Sequence, residues 1–130
     1  MARRPVAPIR AVSILMGIMI GCILAYAYQI NLPTLFYEMN IAALVVFLSI
    51  PAFSGFIVGL LNPATALKDG LIVGLVTGLF NSIVAAVKMI FVSTLALSEV
   101  YAFSLFAIMA VFAWTILAAA AAVLAKRFYE

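Results

Sequence analysis

Four apolar stretches separated by short polar segments dominate the pattern of hydrophobic and polar positions along the chain. Each stretch is long enough to cross a hydrocarbon core of about 30 Å as a helix. The pattern therefore predicts an all-α integral membrane bundle of four transmembrane helices, built as a single transmembrane domain over 1–130. The expected spans cover about 11–30, 41–61, 71–97 and 101–125. The third stretch is longer than the core, so it must tilt, protrude or break near Lys88.

The first stretch has a second interpretation. Arginines, an apolar run and then Ala25-Tyr26-Ala27 resemble a signal peptide with a small-x-small cleavage site. The segment 19–22, which ends in Cys22, is also similar to a lipoprotein cleavage box. We favour an uncleaved span. The preceding residues 1–10, basic and broken by prolines, are expected to form a cytoplasmic tail.

Breaks in the pattern place a kink and a turn in the middle of the chain. Pro51 lies inside the second span and removes one backbone donor, which predicts a kink. The polar turn is expected over 62–70, where Asn62 followed by Pro63 fits an N-cap and a first helical position. Asp69 then lies early in the third helix, where the helix dipole favours a negative charge.

Glycines recur every four residues on the two arms of this central hairpin and on the first span. Such small-residue faces allow close approach of helix backbones within a bilayer. We expect a tight central glycine-rich hairpin, with the stripes packing the helices of one chain together. Pairing with a second copy or with another subunit is the alternative. The predicted helix-packing residues are Gly17, Gly21, Gly55, Gly59, Gly70, Gly74 and Gly78.

Composition supports a membrane environment and narrows the chemistry. Hydrophobic residues make up 69% of the 130 residues and charged residues 8%, whereas a soluble domain carries about 25% charged residues. The sequence contains no histidine and only one cysteine, Cys22. These counts exclude histidine-ligated haem, the usual zinc sites and an internal disulfide. We expect no cofactor, no metal site, no nucleic-acid partner and no enzymatic activity.

Charged residues predict the orientation. In a four-span topology the acidic Glu38 and Glu99 fall on the side opposite the termini. The basic residues, Lys88 excepted, fall on the side of the termini: Arg3, Arg4, Arg10, Lys68, Lys126 and Arg127. The positive-inside rule then predicts a multi-pass protein of the plasma membrane with cytoplasmic N- and C-termini.

A polar stripe on the third span is the candidate site. Asn81 lies seven residues before Lys88 and faces nearly the same way, and Thr77 lies one turn earlier. One interpretation is a polar path between helices, with Glu38 or Glu99 as the counter-ion. The other is an interhelical hydrogen bond from Asn81 and a lysine that snorkels to the membrane edge. We favour the second interpretation.

The central hairpin resembles a family of small archaeal four-helix membrane proteins, a domain of unknown function called DUF5518. The resemblance rests on Gly55-Phe56-Ile57-Val58-Gly59 and on Lys68-Asp69-Gly70 followed by Gly74 and Gly78. It covers about a quarter of the chain, and it implies a fold and a location without an activity.

Two functions are compatible with these patterns. The first is a structural or accessory membrane subunit that packs through glycine-stripe helix contacts. The second is a small transporter or channel that uses the polar stripe. The expected partners are the lipid bilayer and either a second copy of the chain or a larger membrane complex.

Overall fold

The structure, a computed structural model, describes residues 7–31, 40–92 and 97–129 and forms a bundle of four α-helices. All four helices are long and apolar enough to cross a membrane, so the predicted all-α membrane bundle is confirmed. Short 3₁₀ segments join the second helix to the third and follow the fourth. The helices are α1 (Ala7–Asn31), α2 (Ile41–Leu61), α3 (Ala66–Val92) and α4 (Leu97–Lys126), and the 3₁₀ segments are Pro63–Thr65 and Arg127–Tyr129.

Three helices begin earlier than the sequence pattern predicts, and one of them is α4, which begins at Leu97 rather than at 101. Helix α1 begins at Ala7, so the last residues of the expected tail are helical. Helix α3 begins at Ala66 rather than at 71, because a 3₁₀ turn starting at Pro63 leads directly into it. Proline has a fixed φ that suits a helix start, and it lacks an N–H that the first turn would leave unbonded. The connection between α2 and α3 is thereby reduced to residues 62–65.

Helix α3 continues through Lys88 without a break and ends at Val92. Helix α2 likewise continues through Pro51. The proline removes the N–H that would bond the carbonyl oxygen of Phe47, four residues earlier. The nearby Ser54 hydroxyl donates within its own helix, to the carbonyl oxygen of Ile50 at 3.0 Å.

The α2–α3 hairpin lies between the other two helices. Helix α1 packs on α2 and α3, and α4 packs on the same two helices. We call the end of the bundle that holds residues 62–65 the turn end. Helix α1 begins there and α4 ends there, since Arg10 contacts Asp69 and Gly59 contacts Ala122.

Glycine and alanine make the contact with α4. A Cβ atom at Gly55 would overlap the backbone of Ala118, and one at Gly59 would overlap the backbone of Ala122. On α3, a Cβ atom at Gly74 would lie 2.7 Å from the Cα of Thr115, and the Gly70 position is similarly crowded. The glycines of the hairpin thus face α4 rather than one another, and Gly55, Gly59 and Gly70 face its alanine-rich part.

Aromatic side chains fill the bundle toward the other end. The ring centroid of Phe47 lies 5.2 Å from that of Tyr28 and 5.1 Å from that of Trp114. Phe106 of α4 completes the cluster at 5.7 Å from Phe47. All three centroid distances lie in the range of about 4.5–7 Å that is usual for interacting aromatic rings. The cluster joins α1, α2 and α4.

Candidate functional site

Buried polar side chains lie along one side of the bundle, where α1 meets α2 and α3. In the described part of the chain, no buried Ser, Thr, Asn, Gln or charged side chain belongs to α4. Ionisable and polar groups within a membrane are costly, so their concentration on one seam marks the candidate site. We call this set the polar seam: Ser13, Gln29, Ser54, Asn62, Asp69, Thr77 and Asn81.

An ion pair closes the seam at the turn end. The Nε of Arg10 donates to Oδ1 of Asp69 at 2.9 Å, and the Thr65 hydroxyl donates to Oδ2 at 2.7 Å. The Asp69 side chain is 0% exposed and that of Arg10 is 36% exposed. Both carboxylate oxygens are therefore bonded, and the guanidinium links α1 to α3.

This pair is not predicted by the sequence pattern. Arg10 was expected in the tail and Asp69 only at a favourable position of the helix dipole, because 59 residues separate the two. A usable signal existed. The chain contains a single aspartate, and it lies at the same predicted membrane side as the arginines that precede the first span.

The middle of the seam is filled by side chains packed against the glycines of α1. A Cβ atom at Gly17 would overlap Val58 and lie 3.1 Å from a methyl group of Val73. One turn further, a Cβ atom at Gly21 would overlap the methyl group of Thr77. Backbone and side chains thus meet here with no space for even one added methyl group.

Thr77 contributes its methyl group, rather than its hydroxyl, to the helix contact. Its hydroxyl donates to the carbonyl oxygen of Val73 in its own helix at 2.7 Å. The side chain is fully buried, and its Cγ2 atom faces Gly21 of α1. Thr77, which the sequence placed in a possible polar path, therefore packs against α1 through its methyl group.

Asn81 bonds to a residue that the sequence analysis did not single out. The Gln29 Nε2 donates to Oδ1 of Asn81 at 2.8 Å, and both side chains are 1% exposed. Gln29 is the amide side chain near the end of the first apolar stretch, and that position was the available signal. The bond links α1 to α3 toward the end opposite the turn.

Lys88 lines a crevice that opens on the side of the bundle between α1 and α3. The crevice has a volume of about 430 Å³. The expected counter-ion Glu38 and the side chain of Glu99 lie outside the described residues. The crevice is lined by Tyr26, Gln29, Ile30, Val84, Val87, Lys88 and Phe91.

Two buried polar atoms of the seam have no hydrogen-bond partner within the described ranges: the Ser13 hydroxyl oxygen and the Asn62 Nδ2. Ser13 lies one turn before Gly17, and Asn62 lies one turn after Val58, which packs against Gly17. Helical register therefore places both side chains at about the level of Asp69. Within the described residues, no group of three or more metal-ligating side chains occurs.

Comparison of the chain with protein-family models, with curated proteins and with solved structures finds no match. The resemblance of the central hairpin to DUF5518 therefore stays a prediction. What the four apolar helices support is a small multi-pass membrane protein whose polar side chains concentrate where α1 joins the α2–α3 hairpin.

Proposed function

We propose that this protein is a non-enzymatic structural or accessory subunit of the plasma membrane, and that its polar seam holds α1 to the hairpin. The observation that carries the proposal is the closed middle of the seam. Val58 and Thr77 occupy the space that the glycines Gly17 and Gly21 leave, so a path between the helices has no room there. Separation of α1 from α3 would be required before a solute could pass.

The hydrogen bonds of the seam support the same role. Arg10 and Gln29 each bond across to α3, at Asp69 and Asn81 respectively. Interhelical polar bonds of this type stabilise membrane bundles by roughly 0.6 kcal/mol on average. These four side chains, which a transporter could offer to a substrate, are engaged here in joining helices.

The proposed orientation has both termini in the cytoplasm. The basic residues Arg10, Lys68, Lys126 and Arg127 gather at the turn end, where α1 begins and α4 ends. Positive charge accumulates on cytoplasmic loops and tails, which supports a cytoplasmic turn end.

In-membrane photo-crosslinking tests the accessory role. A photoreactive residue would replace Met19 or Ile23 on the exposed side of α1, and Met109 or Ile116 on the exposed side of α4. An accessory subunit gives one defined protein adduct, identified by mass spectrometry, from neighbouring positions on one side only. Lipid adducts alone from both sides would contradict the proposal.

A small transporter is the second candidate. The crevice beside Lys88 favours it, as do the two unpartnered polar atoms at Ser13 and Asn62. Ion or solute flux in liposomes decides between the candidates. Flux through the parent protein that Asn81→Leu abolishes would support transport, whereas no flux through either protein supports the accessory role.

A further inference from the structure

The contacts of α1 with the hairpin repeat in layers, each with one residue from each of the three helices. Two such layers are Gly21 with Ser54 and Thr77, and Gly17 with Val58 and Val73. Between them α1 and α3 step back by four residues while α2 steps forward by four, because α1 runs parallel to α3 and antiparallel to α2. One more step toward the turn end brings together Ser13, Asn62 and Asp69. We call these three residues the turn-end layer.

The turn-end layer is polar and buried. Helical register extends to Asn62, since its backbone N–H donates to the carbonyl oxygen of Val58 at 3.0 Å. Ser13 and Asn62 are each 2% exposed, and Asp69 is 0% exposed. Three helices therefore each place a hydrogen-bonding side chain at the same level, away from solvent.

Two polar atoms of the layer lack a partner. The Ser13 hydroxyl oxygen and the Asn62 Nδ2 are buried without a hydrogen bond in the part of the chain that the structure describes. The buried hydroxyls of Ser54 and Thr77 bond to carbonyl oxygens of their own helices, whereas that of Ser13 does not. Buried polar groups in proteins are almost always bonded, either to protein or to ordered water. The layer therefore requires a partner for both atoms.

The chemistry of the layer selects the partner. The Asn62 Nδ2 is a donor, and the Ser13 hydroxyl can donate as well. Each carboxylate oxygen of Asp69 has one bond, from Arg10 or from Thr65, and can accept a second. A cation does not suit an amide N–H group and a carboxylate that is already paired with arginine, and an anion would face that carboxylate. A small neutral molecule that both accepts and donates fits all three groups.

We propose that one water molecule is bound in the turn-end layer. It accepts hydrogen bonds from the Asn62 Nδ2 and from the Ser13 hydroxyl, and it donates one to a carboxylate oxygen of Asp69. A buried water typically makes about three hydrogen bonds. The water joins three helices at the turn end of the seam. This site lies outside the closed middle of the seam, so it does not depend on the accessory role.

Water-edited solid-state NMR of the full chain in liposomes tests the proposal. The protein is labelled with ¹⁵N-asparagine and ¹³C-leucine. Asn62 is the one asparagine that follows a leucine, which identifies its signals. We expect magnetisation to pass from water to the Asn62 side-chain amide several-fold faster than to that of Asn81. Asn81 is the matched control, because it is equally buried and bonds to Gln29.

The variant Ser13→Ala separates a bound water from water of the nearby membrane surface. Loss of one of its three partners should slow the transfer to Asn62 and lower the unfolding midpoint. A hydroxyl without any partner would give a higher midpoint, because its removal relieves an unsatisfied buried group and alanine favours the helix. The control Ser54→Ala removes a hydroxyl that bonds within its own helix and should leave the transfer to Asn62 unchanged.

Four results contradict the proposal. One is transfer to Asn62 as slow as that to Asn81, and another is fast transfer that Ser13→Ala does not change. The third is a raised unfolding midpoint in Ser13→Ala. The fourth is a shift of the Asn62 amide signal when sodium chloride replaces choline chloride, which would show a cation in the layer. The comparison of Asn62 with Asn81 uses the parent protein, so it remains decisive if a variant fails to fold.

Discussion

Gln29 and Asn81 share a hydrogen bond of 2.8 Å between Nε2 and Oδ1, across the contact of α1 with α3. The two residues are 52 positions apart in sequence, and each side chain is 1% exposed. This hydrogen bond and the Arg10–Asp69 ion pair link α1 to α3, one near each end of α1. The glycine contacts between these two bonds then set how closely the helices approach.

The first prediction concerns the energy of the amide pair. Asn81→Leu or Gln29→Leu removes one partner, and each should lower the free energy of unfolding by about 1–3 kcal/mol. The double variant should lose less than the sum, with a coupling of about 0.6–1.7 kcal/mol. Reversible unfolding in mixed micelles measures the free energy of unfolding of the two single variants and of the double variant. Strictly additive losses would show that the two amides do not act as a pair.

The second prediction is an asymmetry at the turn end. Arg10→Met removes one of the two hydrogen bonds that the described residues make to the buried Asp69 carboxylate and leaves that of Thr65, so we expect a loss of about 1–3 kcal/mol. Asp69→Asn should cost less, because its amide oxygen can still accept a bond and the partly exposed Arg10 can reach water. The matched control is Lys68→Met, expected to be neutral. Equal losses in the two variants would contradict this assignment.

The third prediction ranks the glycines that face α4. Gly55→Ala places a methyl group into the backbone of Ala118, so helices must separate, and we expect a loss of about 1–3 kcal/mol. Gly78→Ala places its Cβ 3.3 Å from the Cα of Val111, a contact that a small shift relieves. Gly78→Ala should therefore lower the free energy of unfolding less than Gly55→Ala does. Unfolding measurements that reverse this order would show that α4 packs differently.

The sequence predicted the four helices because apolar length and charged flanks depend only on local composition. From the glycine spacing it also predicted helix faces that other helices approach closely. It could not say which helix approaches them. Small residues remove a barrier to contact without specifying a partner, and the alanines 118–122 of α4 meet the hairpin glycines only in the folded bundle.

The sequence pattern could not predict which side chains far apart in sequence bond to each other. Arg10–Asp69 and Gln29–Asn81 depend on the parallel register of α1 and α3, which is set by packing at Gly17 and Gly21. The sequence pattern predicted a polar stripe on α3, but the direction of each side chain decides its role. Thr77 shows this, since its hydroxyl bonds within α3 while its methyl group contacts α1.

The fourth prediction separates packing from transport at Thr77. In Thr77→Val the methyl group against Gly21 is kept, so stability should be close to that of the parent. In Thr77→Ser that methyl group is lost, and the cavity should cost about 0.5–1.5 kcal/mol. A polar path gives the opposite pattern, with the serine variant tolerated and the valine variant impaired. Parallel unfolding and liposome flux measurements on the two variants decide which pattern holds.

The closed middle of the seam is the central claim, and thiol labelling by a water-soluble reagent in membranes tests it most directly. Cys22 is first replaced by alanine, and single cysteines are then introduced as Ser54→Cys, Thr77→Cys or Lys68→Cys. Thiols react through the thiolate and therefore need water. We expect rapid labelling at position 68 and none at positions 54 and 77. Labelling at 54 and 77 at a rate near that of 68 would show a hydrated path and contradict the account.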